Sequence, residues 1–266
     1  MTLKGIRKIL EAGVELGTVE WIYFEGGEPF IYYAPMVKGV QMASDMGFKV
    51  GIVTNSYWAT GYEDAIEWLR PLSGLIDDFS ISSDLYHYDR INNQQAEYSQ
   101  RAAEELGIPI GVISIAQPEV SDRNRVTGQL PLGESSVMYR GRAAVNLLDS
   151  ASRQPWDQFP ECPEEDLREP GRIHVDPLGN LHICQGISLG NIFETPLREI
   201  CERYQADAHP ICGPLLAGGP TALVRRYDLA HEESYADACH LCYEARSALR
   251  EELPSVLMPD QMYGVF

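Results

Sequence analysis

Apolar residues recur near helical spacing at the start of the chain, at Leu3, Ile6, Ile9, Leu10, Val14 and Leu16. Thr2 stands where a side-chain cap belongs and Gly17 where a helix can end, so a helix is expected between them. Residues 19–24, VEWIYF, predict a first strand. The alternation then repeats: helix patterns at 33–46, 62–69 and 94–106 precede strand patterns at 49–53, 78–82 and 108–115. Repeated strand–helix units predict an α/β fold, a parallel sheet or barrel with helices outside it. The rhythm fails after Gln117, where residues 118–136 are polar, punctuated by Gly and Pro, and read as a long loop. Past Trp156 the chain turns to Cys, His and Pro with short elements. Two domains are therefore expected, 1–150 and 151–266.

Charge and composition narrow the function classes. The apolar fraction of 44% can supply a sizeable core. A formal charge of -18 argues against a surface that tracks phosphates, so neither nucleic acid nor an anionic membrane is an expected partner. No apolar run approaches the roughly 20 residues that span a bilayer. Lys4, Arg7 and Lys8 belong to an amphipathic helix and no small-residue cleavage site follows, so a cytoplasmic location is expected. Six cysteines, all from Cys162 onward and including a Cys-x2-Cys pair, favour metal or cluster ligation over disulfides.

Ligands of strand–helix folds bind at the carboxyl ends of the strands. Each predicted strand ends there in a polar or glycine-rich phrase: Phe24-Glu25-Gly26-Gly27-Glu28-Pro29, then Thr54-Asn55-Ser56, then Ser82-Ser83-Asp84. Glycines expose backbone groups to a small ligand, and the Glu28 carboxylate can accept from an ammonium group. Taken singly, each phrase also fits a plain turn or cap. His87 follows the third phrase, and Arg140 and Arg142 flank Gly141 after the polar loop; a solvated helix start fits those arginines equally well.

In the second half, residues 174–184 alternate around an Asp-Pro-x-Gly-Asn turn and predict a hairpin with Cys184 at the end of its second strand. Cys162 lies upstream, and Cys239-x2-Cys242 opens a predicted helix. Four thiolates from a loop, a hairpin end and a Cys-x2-Cys turn can hold a cubane, and they suit tetrahedral zinc equally well. Cys201 shares a helix face with Leu197, Ile200 and Tyr204 and is expected in the core. Cys212 is expected to be buried and inert, with replacement of Cys162 as a ligand the alternative. His174 and His182 share strand parity with Cys184, and paired histidines on a hairpin are ordinarily surface residues.

The phrases Gly26-Gly27-Glu28-Pro29, Thr54-Asn55 and Ser82-Ser83-Asp84, in that order, resemble the radical SAM enzymes. The order Cys162, Gly179-x4-Cys184, Cys239-x2-Cys242 resembles the twitch domain, the shorter relative of the SPASM domain, over roughly residues 160–245. The resemblance implies a partial (β/α)6 radical SAM barrel, TIM-like, followed by a small α+β cysteine-rich twitch/SPASM-like domain. It implies that Gly26, Gly27, Glu28 and Pro29 hold the methionyl end of S-adenosylmethionine, with Asn55, Ser82, Asp84 and Arg140 as further contacts. Cys162, Cys184, Cys239 and Cys242 would bind an auxiliary [4Fe-4S] cluster. The implied activity is reductive cleavage of S-adenosylmethionine and hydrogen abstraction from a peptide or small-molecule substrate. An electron donor such as flavodoxin or ferredoxin would supply the electron. One departure stands out: no Cys-x3-Cys-x2-Cys loop precedes Gly26. A catalytic [4Fe-4S] cluster is implied only if such a loop lies upstream of Met1, and the resemblance implies a full protein beginning some tens of residues earlier. The alternative is a non-catalytic, degenerate relative that keeps the barrel and one iron–sulfur or zinc site and serves as a partner module.

Overall fold

The computed structural model describes residues 1–82, 94–115, 133–135 and 137–265. The described residues form two compact units, 1–115 with 133–135 and 137–265. The expected loop at 118–136 lies outside the described residues, apart from a short strand at 133–135.

Helix α1 (Leu3–Leu16) is closed at both ends as its sequence dictates. The Thr2 hydroxyl accepts from the Gly5 N–H at 3.0 Å, and Gly17 takes the left-handed conformation (φ 83°) that ends the helix. Its buried stripe is narrower than the apolar pattern: Ile6, Leu10 and Gly13 face inward, while Leu3 and Val14 are 46% and 53% exposed. Gly13 takes an inward place because the Phe48 ring lies against it, 3.2 Å from where a Cβ would stand.

Strands β1 (Trp21–Phe24), β2 (Lys49–Thr54), β3 (Asp78–Ser82) and β4 (Ile110–Ile115) alternate with helices α2 (Tyr33–Asp45), α3 (Tyr62–Leu69) and α4 (Gln94–Glu105). The short β5 (Gly133–Ser135) joins β4. Every pairing is parallel and the spatial order β1-β2-β3-β4-β5 is the chain order. The expected parallel sheet is therefore present. β4 begins two residues later than its apolar run because Pro109 has no N–H for the ladder; its carbonyl still accepts from Phe79 N at 2.8 Å.

Sequential order with right-handed crossovers sends successive helices to the same face of a sheet. Here that face carries Val50, Ile52, Phe79 and Ile81, packed in one core with Leu10, Val40, Leu69 and Ala102 of the four helices. The opposite parity carries Tyr23, Gly51, Asp78, Ser80 and Gly111. Tyr23 Oη and Ser80 Oγ both donate to Asp78 Oδ2, at 3.1 and 3.0 Å. Gly51 lies beneath the Tyr23 ring, where an added Cβ would come within 2.2 Å of it.

The second unit begins earlier than expected, because residues from 137 onward are held within it. Tyr139 N donates to the Asp237 carboxylate, and Ala144 belongs to the second core. The unit contains α5 (Ala143–Asn146), β6 (Gln154–Pro155), β7 (His174–Val175), β8 (Asn180–Cys184), β9 (Ile187–Asn191), α6 (Leu197–Arg203), α7 (Cys212–Tyr227), β10 (Ser234–Tyr235) and α8 (Ala238–Leu249). The predicted hairpin is β7–β8, with His174 opposite His182 and Val175 opposite Leu181; β9 adds a third antiparallel strand. Asp176 organises its turn by accepting from Leu178 N, Asn180 N, Asn180 Nδ2 and His182 Nε2 at 2.8–3.2 Å. His182 is thus no surface residue. It is 1% exposed, because β9 covers the hairpin on the side that a two-stranded reading leaves open.

Candidate functional site

In the first unit Gly26, Gly27, Glu28 and Pro29 follow β1, Asn55 follows β2 and Ser82 ends β3, all at the carboxyl ends of the strands. Gly26 has φ 118°, a conformation that favours glycine, and a Cβ on Gly26 or Gly27 would meet nothing within 4 Å. Their backbone therefore borders open space. Pro29 opens a 3-10 turn, and Phe30 pins that turn into an aromatic cluster, stacked 4.3 Å from Trp58.

Glu28 is buried, and its Oε1 accepts from Phe30 N at 3.0 Å and Thr54 Oγ1 at 2.9 Å, while Oε2 accepts from Asn55 N at 2.7 Å. The carboxylate is a staple between the β1 and β2 loops. Thr54 Oγ1 in turn accepts from Ser56 N and Trp58 Nε1, and Ser56 (φ 59°) contacts Ser99 Oγ at 2.7 Å. Replacing Glu28 by alanine orphans three donors, two of them buried, and is expected to cost about 3 kcal/mol of first-unit stability. A urea-unfolding midpoint compared with wild type checks this. Ser82 is half-buried at the end of β3. Asp84 and His87 lie outside the described residues.

In the second unit Cys162, Cys184, Cys239 and Cys242 all line one cavity. Three separate devices bring them there. Cys184 ends β8, whose five residues are all buried. Cys239 and Cys242 occupy the first turns of α8, which Asp237 caps by accepting from His240 N at 2.7 Å. Cys162 follows a segment laid against a break in α7 at Gly218-Gly219, before Pro220. Gly219 has φ 64°, and a Cβ there would fall 2.3–2.5 Å from Glu161 N, Phe159 O and Pro160 C. Only glycine lets that strand of chain through. The Thr221 hydroxyl then holds the same region by donating to Trp156 O at 2.9 Å.

Leu167, Ile187, Leu215 and Pro220 supply the apolar part of the wall. Burial pushes the Cys162 thiol up to about 12 and raises Cys239 and Cys242 as well. Among the described residues, no three Cys, His, Asp or Glu side chains gather closely enough to hold a single metal ion. The four cysteines share the lining of one pocket.

Arg140 lines this cavity, and its Nη1 donates to Cys184 Sγ at 3.1 Å. Arg246 lines it too, 2% exposed. Sequence reasoning missed Arg246 altogether, although it stands four residues beyond Cys242, one turn along the same helix. Cys212 is fully buried at the start of α7, where its N–H donates to His209 Nδ1 at 3.1 Å, and it does not line the cavity. Cys201, expected in the core, is exposed: α6 is only seven residues long and buries Leu197 and Ile200 alone.

No protein-family model matches this chain, and no curated protein matches it.

Proposed function

We propose that the second unit binds a [4Fe-4S] cluster through Cys162, Cys184, Cys239 and Cys242, as the auxiliary cluster of a radical SAM protein. The observation that carries this reading is the shared cavity: four cysteines from a loop, a strand end and a helix start line a single hollow. A zinc ion needs its sulfurs about 2.3 Å from one point. A cubane spreads its four irons and suits sulfurs set around a space. The two arginines of the wall outnumber its one carboxylate, Glu164, which suits the net negative charge of a four-thiolate cluster. When bound, such a cluster supplies one-electron chemistry; the chain's own residues hold it, exclude water and set the surrounding charge.

The first unit supports the other half of the reading. A sequentially ordered parallel sheet is the topology of a barrel segment rather than of a doubly wound sheet, whose order reverses. Its β1 loop presents the exposed Gly26 and Gly27 backbone at the end where ligands of such folds bind. On this reading the loop takes the methionyl group of S-adenosylmethionine, and a peptide or small molecule is the substrate. Generating a radical needs three more thiolates on a second cluster, and no cysteine precedes Cys162 in these residues.

Anaerobic reconstitution with iron and sulfide tests the cluster: about four irons and four sulfides per chain are expected, whereas uptake of zinc alone would end the reading. Equilibrium binding tests the loop. S-adenosylmethionine is expected to bind the wild-type chain, and Gly27→Val to weaken it at least about tenfold by filling the space over the backbone. A wild-type chain that binds none removes the barrel half of the proposal.

A further inference from the structure

The sulfur cavity is an unfavourable place for a cation, yet it holds two. Arg246 donates to Cys242 O at 3.2 Å, Gln185 O at 2.7 Å and Tyr263 Oη at 3.4 Å, all neutral acceptors. Arg140 donates to Cys184 Sγ. Both guanidinium groups line the pocket shared by Cys162, Cys184, Cys239 and Cys242, with Glu164 as the one carboxylate in its wall. A buried cation demands a buried anion.

Resting on the cluster reading, we infer that Arg140 and Arg246 are the counter-charges of the cluster and raise its one-electron reduction potential. Reduction adds one electron to a centre that is already negative, so the reduced state gains more from nearby positive charge than the oxidised state does. In a site of low dielectric that difference is large. Arg140 adds a second effect, because an N–H bond to a ligand sulfur withdraws electron density from the iron it serves. The electron comes from a one-electron donor and reduces one ferric site to ferrous. No bond breaks, and the fixed guanidinium charges take the place of proton uptake. The two arginines thus poise the cluster to accept electrons.

The test is a redox titration, followed by electron paramagnetic resonance with dithionite as reductant, on the reconstituted full chain at matched iron content. Arg140→Gln is expected to make the cluster at least tenfold harder to reduce, about 59 mV more negative for a one-electron couple. Arg246→Gln should shift it in the same direction. Arg140→Lys, which keeps the charge but not the planar fork, should recover most of the wild-type value. Variants that hold their iron and titrate with the wild type overturn the inference while leaving the cluster in place. Loss of iron by both Gln variants would mean assembly rather than tuning, and overturns it too. A wild-type chain that takes only zinc ends both the inference and the cluster reading.

Discussion

Serine in place of Cys162, Cys184, Cys239 or Cys242 is expected to reduce the iron content of the reconstituted chain from about four per polypeptide to below about one. Serine in place of Cys201 or Cys212 should leave it unchanged. The contrast follows from position. The first four sulfurs line one cavity, whereas Cys201 is exposed and Cys212 packs at the start of α7 outside it. A serine hydroxyl keeps its proton far more firmly than a thiol, so in an apolar pocket the fourth ligand is lost and the cluster becomes labile. Iron and acid-labile sulfide assays on all six variants decide the matter. The pair Cys162→Ser and Cys212→Ser is the most informative, because sequence spacing alone leaves either cysteine as the fourth ligand. Iron retained in Cys162→Ser and lost in Cys212→Ser would reverse the assignment.

Gly219→Ala is expected to destabilise the second unit by about 3 kcal/mol or more and to lower iron uptake along with it. Two costs combine. The backbone at φ 64°, ψ -163° lies in a region essentially reserved for glycine, which alone costs about 1–3 kcal/mol. The added methyl would also come within 2.5 Å of three backbone atoms in residues 159–161, and backbone cannot rotate aside as a side chain can. Relief requires that segment to move, and Cys162 is the next residue along it. The expected signature is a lower unfolding midpoint together with a cluster that bleaches faster in air. A variant as stable as wild type and fully loaded with iron would show that Gly219 does not position Cys162.

Much of both units was legible where the signals are local. Thr2 and Gly17 mark the ends of α1, the α3 and β3 ranges follow their apolar patterns, and Asp-Pro-x-Gly-Asn marks the β7–β8 turn. Properties that depend on distant neighbours were not legible. Glu28 reads as a ligand for an amine until Thr54 and Asn55, more than twenty residues away, are seen to use its oxygens. His182 reads as surface until β9 covers it. Arg140 reads as a partner for a carboxylate, since nothing in a sequence tells an arginine which anion it will meet; its neighbour proves to be Cys184. Cys201 fails for a simpler reason. A seven-residue helix has room for one narrow buried stripe, and an i, i+4 relation to Leu197 puts Cys201 just past its edge. The four cysteines that line one pocket are the set whose order resembles the twitch domain, whereas the break in α7 beside residues 159–161 gave no sign beyond the doublet Gly218-Gly219.

The two faces of the parallel sheet answer to different kinds of selection. On β3, Phe79 and Ile81 are locked among four helices, so any change there is judged by whether the protein still folds. Asp78 and Ser80, one step away on the same strand, belong instead to a small polar set with Tyr23. That set can be exchanged as a group, with Gly51 and Gly111 supplying the room, while the packing on the helix side stays as it is. Substitutions along β3 are therefore expected to act in period-two steps, through the helix-side packing at one residue and through the Asp78 hydrogen bonds at the next.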